Sequence, residues 1–342
     1  MIGVGVLGAG WWGPNVIRSL LSLPECRLVR VCDAQPGRLQ YVKATFPQVE
    51  VTPDYDDLLR DPRLDAIFVV TPIHTHHELA LRALDSGRHV FVEKPLAATV
   101  EQAMAIVERA SACNRVLAVG HLFVYHPAIV RLRDEVAAHG LGTLCYMHSE
   151  RVNLGPPAAQ VDVLWDLAVH DVAIALYLAG QPPVEVVAYG HHYVRPALID
   201  MALLVLRYPD GVLSHHHVSW LSPNKVRRFF AAGTAGSALF DAGLEPRALS
   251  LFGQGVDTRL GGGAGQAIDL TYGTGEVRVP DLPATAPLAA ECQHFLECIM
   301  AGCRPRADGV AGLQVVQILE AAERSVALGS QPVALSRSRS WP

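Results

Sequence analysis

The sequence predicts an α/β protein in two parts: a parallel sheet wrapped by helices, then an α+β part built on a large, mostly antiparallel open sheet. Three features of the 342-residue chain lead there. Up to about residue 121, short continuous apolar runs alternate with amphipathic stretches, as strands buried on both faces of a helix-covered sheet do. The first run breaks into a glycine-rich turn and continues as a helix. Beyond residue 140, β-rich runs follow one another across short turns such as Pro209-Asp210-Gly211, the pattern of antiparallel neighbours.

In chain order, strands are expected at residues 3–7, 28–32, 66–70, 89–92 and 116–119. The helices between and after them are expected at 15–23, 37–46, 55–60, 76–86 and 100–112. A helix near 127–139 then marks a change of character. A strand at 143–152 and a long amphipathic helix at 162–179 precede β-rich segments at 184–191, 201–207, 211–220, 226–232 and 237–241. Residues 261–265 read as a flexible loop, and helices at 287–300 and 309–328 close the fold. The expected domains are 1–121, which binds a dinucleotide, and 122–335, which binds substrate and mediates oligomerisation. Residues 336–342 read as a disordered, basic tail.

The turn after the first strand carries the clearest chemistry. Gly8-Ala9-Gly10-Trp11-Trp12-Gly13 fits G-x-G-x-x-G between a strand and a helix. Gly8 lets the chain turn off the strand, Gly10 removes the Cβ that would block a pyrophosphate, and Gly13 lets helix and sheet pack closely. The phosphates then meet the amides at the start of the new helix. Asp33 ends the next strand about 20 residues on, where a carboxylate accepts the ribose hydroxyls of the adenosine. This is the arrangement of a Rossmann dinucleotide site, against which stands a purely structural turn. An acidic residue there repels a 2′-phosphate, so NAD is favoured over NADP, while Gln35 and Arg38 keep NADP open.

Composition excludes several classes. Half of the residues are hydrophobic, enough for a large core, and the net charge of −5 comes without a basic cluster outside the last residues, so nucleic acid has little support. The longest apolar run, 172–179, is far short of a membrane span. No signal peptide is expected ahead of the first strand. The seven cysteines include no C-x-x-C pair and read as free thiols in a reducing cytoplasm.

The chemistry gathers at strand ends. Asp33, Thr71-Pro72, Glu93-Lys94-Pro95 and Gly120-His121 all close parallel strands, and ligands of such sheets bind outside those ends. Lys94 there would place an ammonium where a nicotinamide lies, able to polarise a carbonyl or stabilise an alkoxide; the other reading is a surface lysine paired with Glu93. His76 opens a helix after a strand end and is a ribose or substrate contact. Asp166 and His170 are spaced i, i+4, so a helix sets a carboxylate beside an imidazole, a suitable acid/base pair. A helix-surface ion pair is the alternative, with Asp171 a competing partner. His215-His216-His217 alternate faces on a strand and cannot share one metal, and no metal is expected.

Taken together, Gly8 to Asn15, Thr71-Pro72 with His76, Glu93-Lys94-Pro95, Gly120-His121 with Tyr125-His126-Pro127, and Trp165-Asp166 with His170 resemble the Gfo/Idh/MocA oxidoreductases over nearly the whole chain. The opening loop and the segment 217–223 are most similar to members acting on nucleotide-linked sugars of the UDP-N-acetylglucosamine 3-dehydrogenase type. The resemblance implies a Lys–Asp–His catalytic group, which falls on Lys94, Asp166 and His170. His170 would be the acid/base on the reacting hydroxyl, Lys94 would hydrogen-bond the same oxygen, and Asp166 would hold substrate or the other two groups. It also implies homodimers or homotetramers formed through the second domain's sheet. Ile73 departs from the polar residue many members carry after Thr-Pro, and Trp11 and Trp12 are bulkier than the common loop.

The expectation is therefore an NAD(H)-dependent oxidoreductase acting on a sugar or nucleotide-sugar hydroxyl. Cofactor contacts are expected from Gly8, Gly10, Trp11, Trp12, Gly13, Asp33, Thr71, Pro72, His76, Glu93, Lys94 and His121. Substrate contacts are expected from Lys94, Tyr125, Trp165, Asp166, His170, Trp220 and Lys225. Rivals are a polyol dehydrogenase of the inositol type, a catalytically idle cofactor-bound sensor, and a metal-dependent lyase or hydrolase.

Overall fold

A computed structural model describes residues 1–155, 161–253 and 275–335. The glycine-rich stretch 261–265 and the tail 336–342 lie outside them. The described chain forms two compact units, Met1–Tyr125 with Thr285–Gln317, and His126–Ala284 with the chain from Ile318 onward.

The first unit begins with the expected alternation: β1 (Ile2–Leu7), α1 (Gly13–Leu21), β2 (Cys26–Cys32), α2 (Pro36–Thr45), β3 (Glu50–Thr52), α3 (Asp56–Arg60), β4 (Ala66–Val69), α4 (Ile73–Asp85), β5 (His89–Val92), α5 (Val100–Ala112) and β6 (Leu117–Val119), then a 3-10 turn at Leu122–Tyr125. The sheet order is β3-β2-β1-β4-β5-β6, every pair parallel. The chain reverses its direction of travel across the sheet between β1 and β4, so the crevice for a ligand opens at the carboxyl ends of these two strands. Only β3 had no counterpart in the sequence pattern; it is three residues long and mostly accessible, with too few positions to show a period.

The second unit holds α6 (Pro127–Ala137), β7 (Leu144–Leu154), a π-helical turn (Leu164–Ala168), α7 (Val169–Ala179), β8 (Glu185–His191), β9 (Met201–Arg207), β10 (Leu213–Ser219), β11 (Leu221–Gly233), β12 (Ser237–Asp241), β13 (Leu249–Phe252) and β14 (Val277–Arg278). After it come α8 (Pro287–Ala301), α9 (Gly309–Ala327) and β15 (Val333–Ala334). The nine-stranded sheet runs β14-β13-β12-β11-β7-β10-β9-β8-β15 and is antiparallel except where β10 lies parallel to β7. Its inner face buries Met147, Leu204, Leu206, Val218, Phe229 and Ala231. The histidine triplet alternates as a strand requires: His216 turns inward between the hydroxyls of Ser149 and Ser214, while His215 stacks outside on His148 with ring centroids 5.1 Å apart.

Two departures from the sequence pattern matter. The single helix expected over 162–179 is a π turn followed by α7, with the Asp162 carboxylate accepting from the amides of Leu164 and Trp165 at its start. And α8 lies in the first unit. Its Cys292, Phe295 and Leu296 share one apolar core with Val4, Val6, Ile17, Leu20, Phe68 and Phe91. Phe295 meets Phe68 and Phe91 edge-on, at 5.4 and 5.8 Å between centroids. Among the described residues no helix is long and apolar enough to cross a membrane.

Candidate active site

In the first unit the glycine turn is built by close approach. Gly8 has φ +107°, and a Cβ on it would lie 2.3 Å from the Val70 carbonyl oxygen; a Cβ on Gly13 would lie 2.5 Å from that of Gly8. Neither position admits a side chain. Gly10 is different, since a Cβ there would meet nothing nearer than Arg38, at 3.5 Å. The protein's own packing does not demand glycine at 10, and the absent Cβ keeps the approach to the turn open. No side chain caps α1, but Pro14 has no N–H and the Asn15 amide already donates to the Trp12 carbonyl at 2.9 Å, so an anion would meet the amides of the turn itself, up to Gly13. These features fit a dinucleotide pyrophosphate.

Asp33 is buried at the end of β2. Its Oδ2 accepts from the Ala9 amide at 2.8 Å and faces an Arg38 guanidinium nitrogen at 3.4 Å, and Oδ1 accepts from the Gln35 amide at 2.8 Å. The carboxylate thus ties the glycine turn to β2 and keeps lone pairs for a ribose hydroxyl. Trp11 is 90% exposed, while Trp12 packs against the apolar core. The Trp12 indole also donates to the Glu93 carboxylate.

That bond links the turn to the end of β5. Glu93 Oε2 accepts from the Lys94 amide at 3.2 Å and sits so close to Gly120 that a Cβ there would be 2.9 Å from it. Burial pushes the Glu93 carboxyl up to about 7, against the lowering effect of the Lys94 charge. The Lys94–Pro95 peptide is cis. His76 is buried with Nδ1 2.8 Å from the Pro95 carbonyl and Nε2 2.7 Å from the Thr71 carbonyl, which braces the Thr71-Pro72 and Lys94-Pro95 strand ends against each other. Burial lowers its pKa despite these two acceptors. Thr71 Oγ1 meets the Thr75 hydroxyl at 2.7 Å.

His121 is buried next in line; burial first, then the Lys94 charge, holds it down to about 3, so the ring is neutral. Tyr125 is buried, its hydroxyl 3.2 Å from His294 Nδ1 and accepting from the Ala307 amide at 3.3 Å, with the Arg306 guanidinium over its ring. The sequence reading missed Glu291 on α8. It is 1% exposed, both carboxyl oxygens lack a partner among the described residues, and burial, then the charge of Glu93, pushes its pKa well up. Its signal was its spacing: Glu291 stands one turn before Phe295, on the helix stripe that faces the core.

In the second unit, Asp166 and His170 are the two partly accessible positions in a run from Asp162 to Ala175 that is otherwise buried. Asp171 is no rival for His170, because it is taken by Arg151 in a buried two-bond pair of 2.8 and 3.0 Å. Asp166 Oδ2 accepts from the Trp220 indole at 3.3 Å, and the Trp165 indole donates to Glu323 at 2.7 Å. The basic run after Trp220 divides. Lys225 is exposed, Arg228 pairs with Asp241 at 2.6 Å, and Arg227 turns to the inner face where it feels Arg151, Asp171 and Asp166. Among the described residues no group of three His, Cys, Asp or Glu side chains is arranged to hold a metal.

Comparison with known proteins agrees with this geometry. A family model described as "Oxidoreductase family, NAD-binding Rossmann fold" (GFO_IDH_MocA) matches residues 2–121, and the GFO/IDH/MocA C-terminal domain matches residues 129–239. The chain is 31% identical to UDP-N-acetylglucosamine 3-dehydrogenase of Acidithiobacillus ferrooxidans, over 91% of this chain and 93% of that one. It is 27% identical to scyllo-inositol 2-dehydrogenase (NAD(+)) of Bacillus subtilis, over 98% and 97%. A solved structure of the Acidithiobacillus enzyme superposes with a TM-score of 0.80 at 30% identity, covering 95% of this chain and 96% of that one.

Proposed function

Because the chain belongs to the Gfo/Idh/MocA family of NAD-binding oxidoreductases, we propose that it is an NAD(H)-dependent dehydrogenase of a sugar, acting at C3 of a nucleotide-linked or amino sugar. The observation that carries this reading is the tie between the glycine turn and Lys94. Trp12 of the turn holds Glu93, and the next residue is the lysine at the carboxyl end of β5. Identity to the nucleotide-sugar enzyme supports the substrate class. Polyol oxidation is the second reading, favoured by the inositol dehydrogenase relative.

Bound NAD supplies the hydride acceptor in oxidation, and NADH the donor in reduction. The turn from Gly8 to Gly13 would hold its pyrophosphate, and Asp33 its adenosine ribose. Thr71, Pro72, Glu93 and His121 line the cofactor's edge of the sheet, with His76 bracing two of those strand ends. His170 takes the hydroxyl proton in oxidation and returns it in reduction. Lys94 hydrogen-bonds the same oxygen and stabilises charge that develops on it. Asp166, steadied by Trp220, holds substrate. Tyr125 and Trp165 act from behind through packing, and Lys225 with Arg227 supplies cations for a diphosphate. The outer face of the C-terminal sheet, where Phe230, His148 and His215 adjoin, forms the contact of a homodimer or homotetramer.

The test is absorbance at the reduced-nicotinamide band with UDP-N-acetylglucosamine and with scyllo-inositol. Lys94→Ala and His170→Ala are each expected to lower kcat by about 10²–10⁴-fold, with NADH affinity retained in a fluorescence titration. Unchanged turnover in both variants would defeat the assignment. Tight NADH binding with no turnover on any sugar would favour an idle sensor, and loss of activity to a chelator would favour the metal-dependent rival.

A further inference from the structure

The first unit has a cavity that the dehydrogenase reading leaves unused. It has a volume of about 580 Å³ and opens at the amino ends of β5 and β6, where His89, Val116 and Leu117 begin those strands. The carboxyl ends that carry Glu93-Lys94 and Gly120-His121 lie at the other edge of the sheet, roughly 13 Å away for a four-residue strand. The size is that of a small-molecule site.

Its lining is asymmetric in charge. Two arginines face it, and one is already matched: Arg304 pairs with Asp308 at 2.7 Å. Among the described residues Arg115 has no carboxylate partner. Its Nε is buried without a hydrogen-bond acceptor, and the side chain's one bond among the described residues is a 3.4 Å contact to the Asn114 carbonyl next to it in sequence. The buried Nε itself is out of a ligand's reach; the terminal nitrogens are the guanidinium edge that an anion in the cavity would meet.

Beside it, His89 Nδ1 accepts from the Val116 amide at 2.9 Å, which fixes the tautomer and leaves Nε2 carrying the hydrogen. The cavity therefore presents a guanidinium and an imidazole N–H close together. Val107, Leu117, Ile299 and Val310 make an apolar wall next to them.

We propose that this cavity is a binding site for a small organic anion, a carboxylate or phosphate monoester on a compact apolar body. The head group takes Arg115 and His89, and the body lies on the Val107–Leu117–Ile299–Val310 wall. The site is independent of the sugar and cofactor sites, so it does not depend on the dehydrogenase reading.

The electrostatics provide an independent readout. Burial, and then the charge of Arg115, lowers the His89 pKa, and Asp65 acts the other way; Asp308 on the cavity wall is held by Arg304. An anion bound at Arg115 offsets the guanidinium, so it raises the His89 pKa and binds more tightly as pH falls. Cys303, exposed on the rim, reports occupancy through its reactivity.

The experiment uses the full chain carrying Cys145→Ser, which removes the other exposed thiol. Four probes are titrated: benzoate, phenyl phosphate, benzyl alcohol as the uncharged body, and inorganic phosphate as the bare head. The expected result is thermal stabilisation and slowed Cys303 modification by benzoate or phenyl phosphate, with benzyl alcohol and inorganic phosphate at least tenfold weaker. Whichever of the two leads identifies the head group. Arg115→Gln should weaken that probe at least tenfold, Val310→Trp should block it by filling the wall, and the His89 imidazole resonance should titrate at higher pH when the probe is bound. No stabilisation or protection by any probe, or equal binding in the Arg115→Gln protein, would overturn the proposal.

Discussion

Asp33 serves the fold and, in the proposed function, ligand choice as well. Its two oxygens already receive the amides of Ala9 and Gln35 and face Arg38. The sequence pattern placed an acid at the end of the second strand but could not show that the same carboxylate pins the glycine turn. Nor could it show that Arg38 lies against both Asp33 and the open side of Gly10. A 2′-phosphate would meet the carboxylate's repulsion and the guanidinium's attraction together, with Asp33 holding the guanidinium down. Removing the carboxylate should therefore do two things: it takes a charged acceptor from the ribose hydroxyls, worth about 1.5–3 kcal/mol or roughly 10–100-fold in affinity, and it frees Arg38. Asp33→Ala is expected to weaken NADH by that factor and NADPH much less, in parallel fluorescence titrations. Equal weakening of both would mean that Asp33 does not touch the ribose.

At the scale of elements, the π turn at Leu164–Ala168 is the piece that sequence periodicity could not supply. Asp166 and His170 keep their i, i+4 count, yet the backbone between them changes from π to α. Apolar spacing reads the same through such a change, because it reports which residues are buried and not which carbonyl each amide meets. The turn is held at its start by an acid pair. Asp162 accepts from Leu164 and Trp165 and is joined to Glu323, which takes the Trp165 indole. Burial, then Glu323, raises Asp162 to about 7. A carboxyl raised in the folded state contributes stability that is fully present below its unfolded value near 4 and is lost as pH climbs through 7. Asp162→Asn keeps the amide oxygen for the two backbone donors and removes the titration. The variant's unfolding free energy should match the parent's near pH 4 and exceed it increasingly toward pH 7.5, by an amount of order 4 kcal/mol at the plateau. A stability difference independent of pH would show that the pair does not share a proton.

For the whole molecule, most of the architecture was legible in the residues: five of the six strands of the parallel sheet follow from continuous apolar runs between helices, and much of the antiparallel sheet from strands with short turns. The short strands β3, β13, β14 and β15 were not, because two to four partly exposed residues show neither a period nor a continuous apolar run. The allocation of α8 was not either, since an amphipathic helix says that it buries a face without saying against which sheet. Cys292, Phe295 and Leu296 complete the core around Phe68 and Phe91, so the nucleotide-binding half is not a continuous stretch of chain. This has a direct consequence for dissection. Residues 1–125 alone leave those two phenylalanines without their cover and should aggregate. Residues 1–125 joined to 285–317 by a flexible Gly/Ser linker restore the missing face, and Tyr125 already contacts His294 across the junction. That joined chain should melt cooperatively by circular dichroism and bind NADH. Phe295→Ala in the full chain tests the same contact without cutting: loss of a buried ring against two others costs about 3–5 kcal/mol, read as a drop in the denaturant midpoint. If residues 1–125 fold and bind cofactor unaided, or if Phe295→Ala is silent, α8 is an accessory to this half and not part of its core.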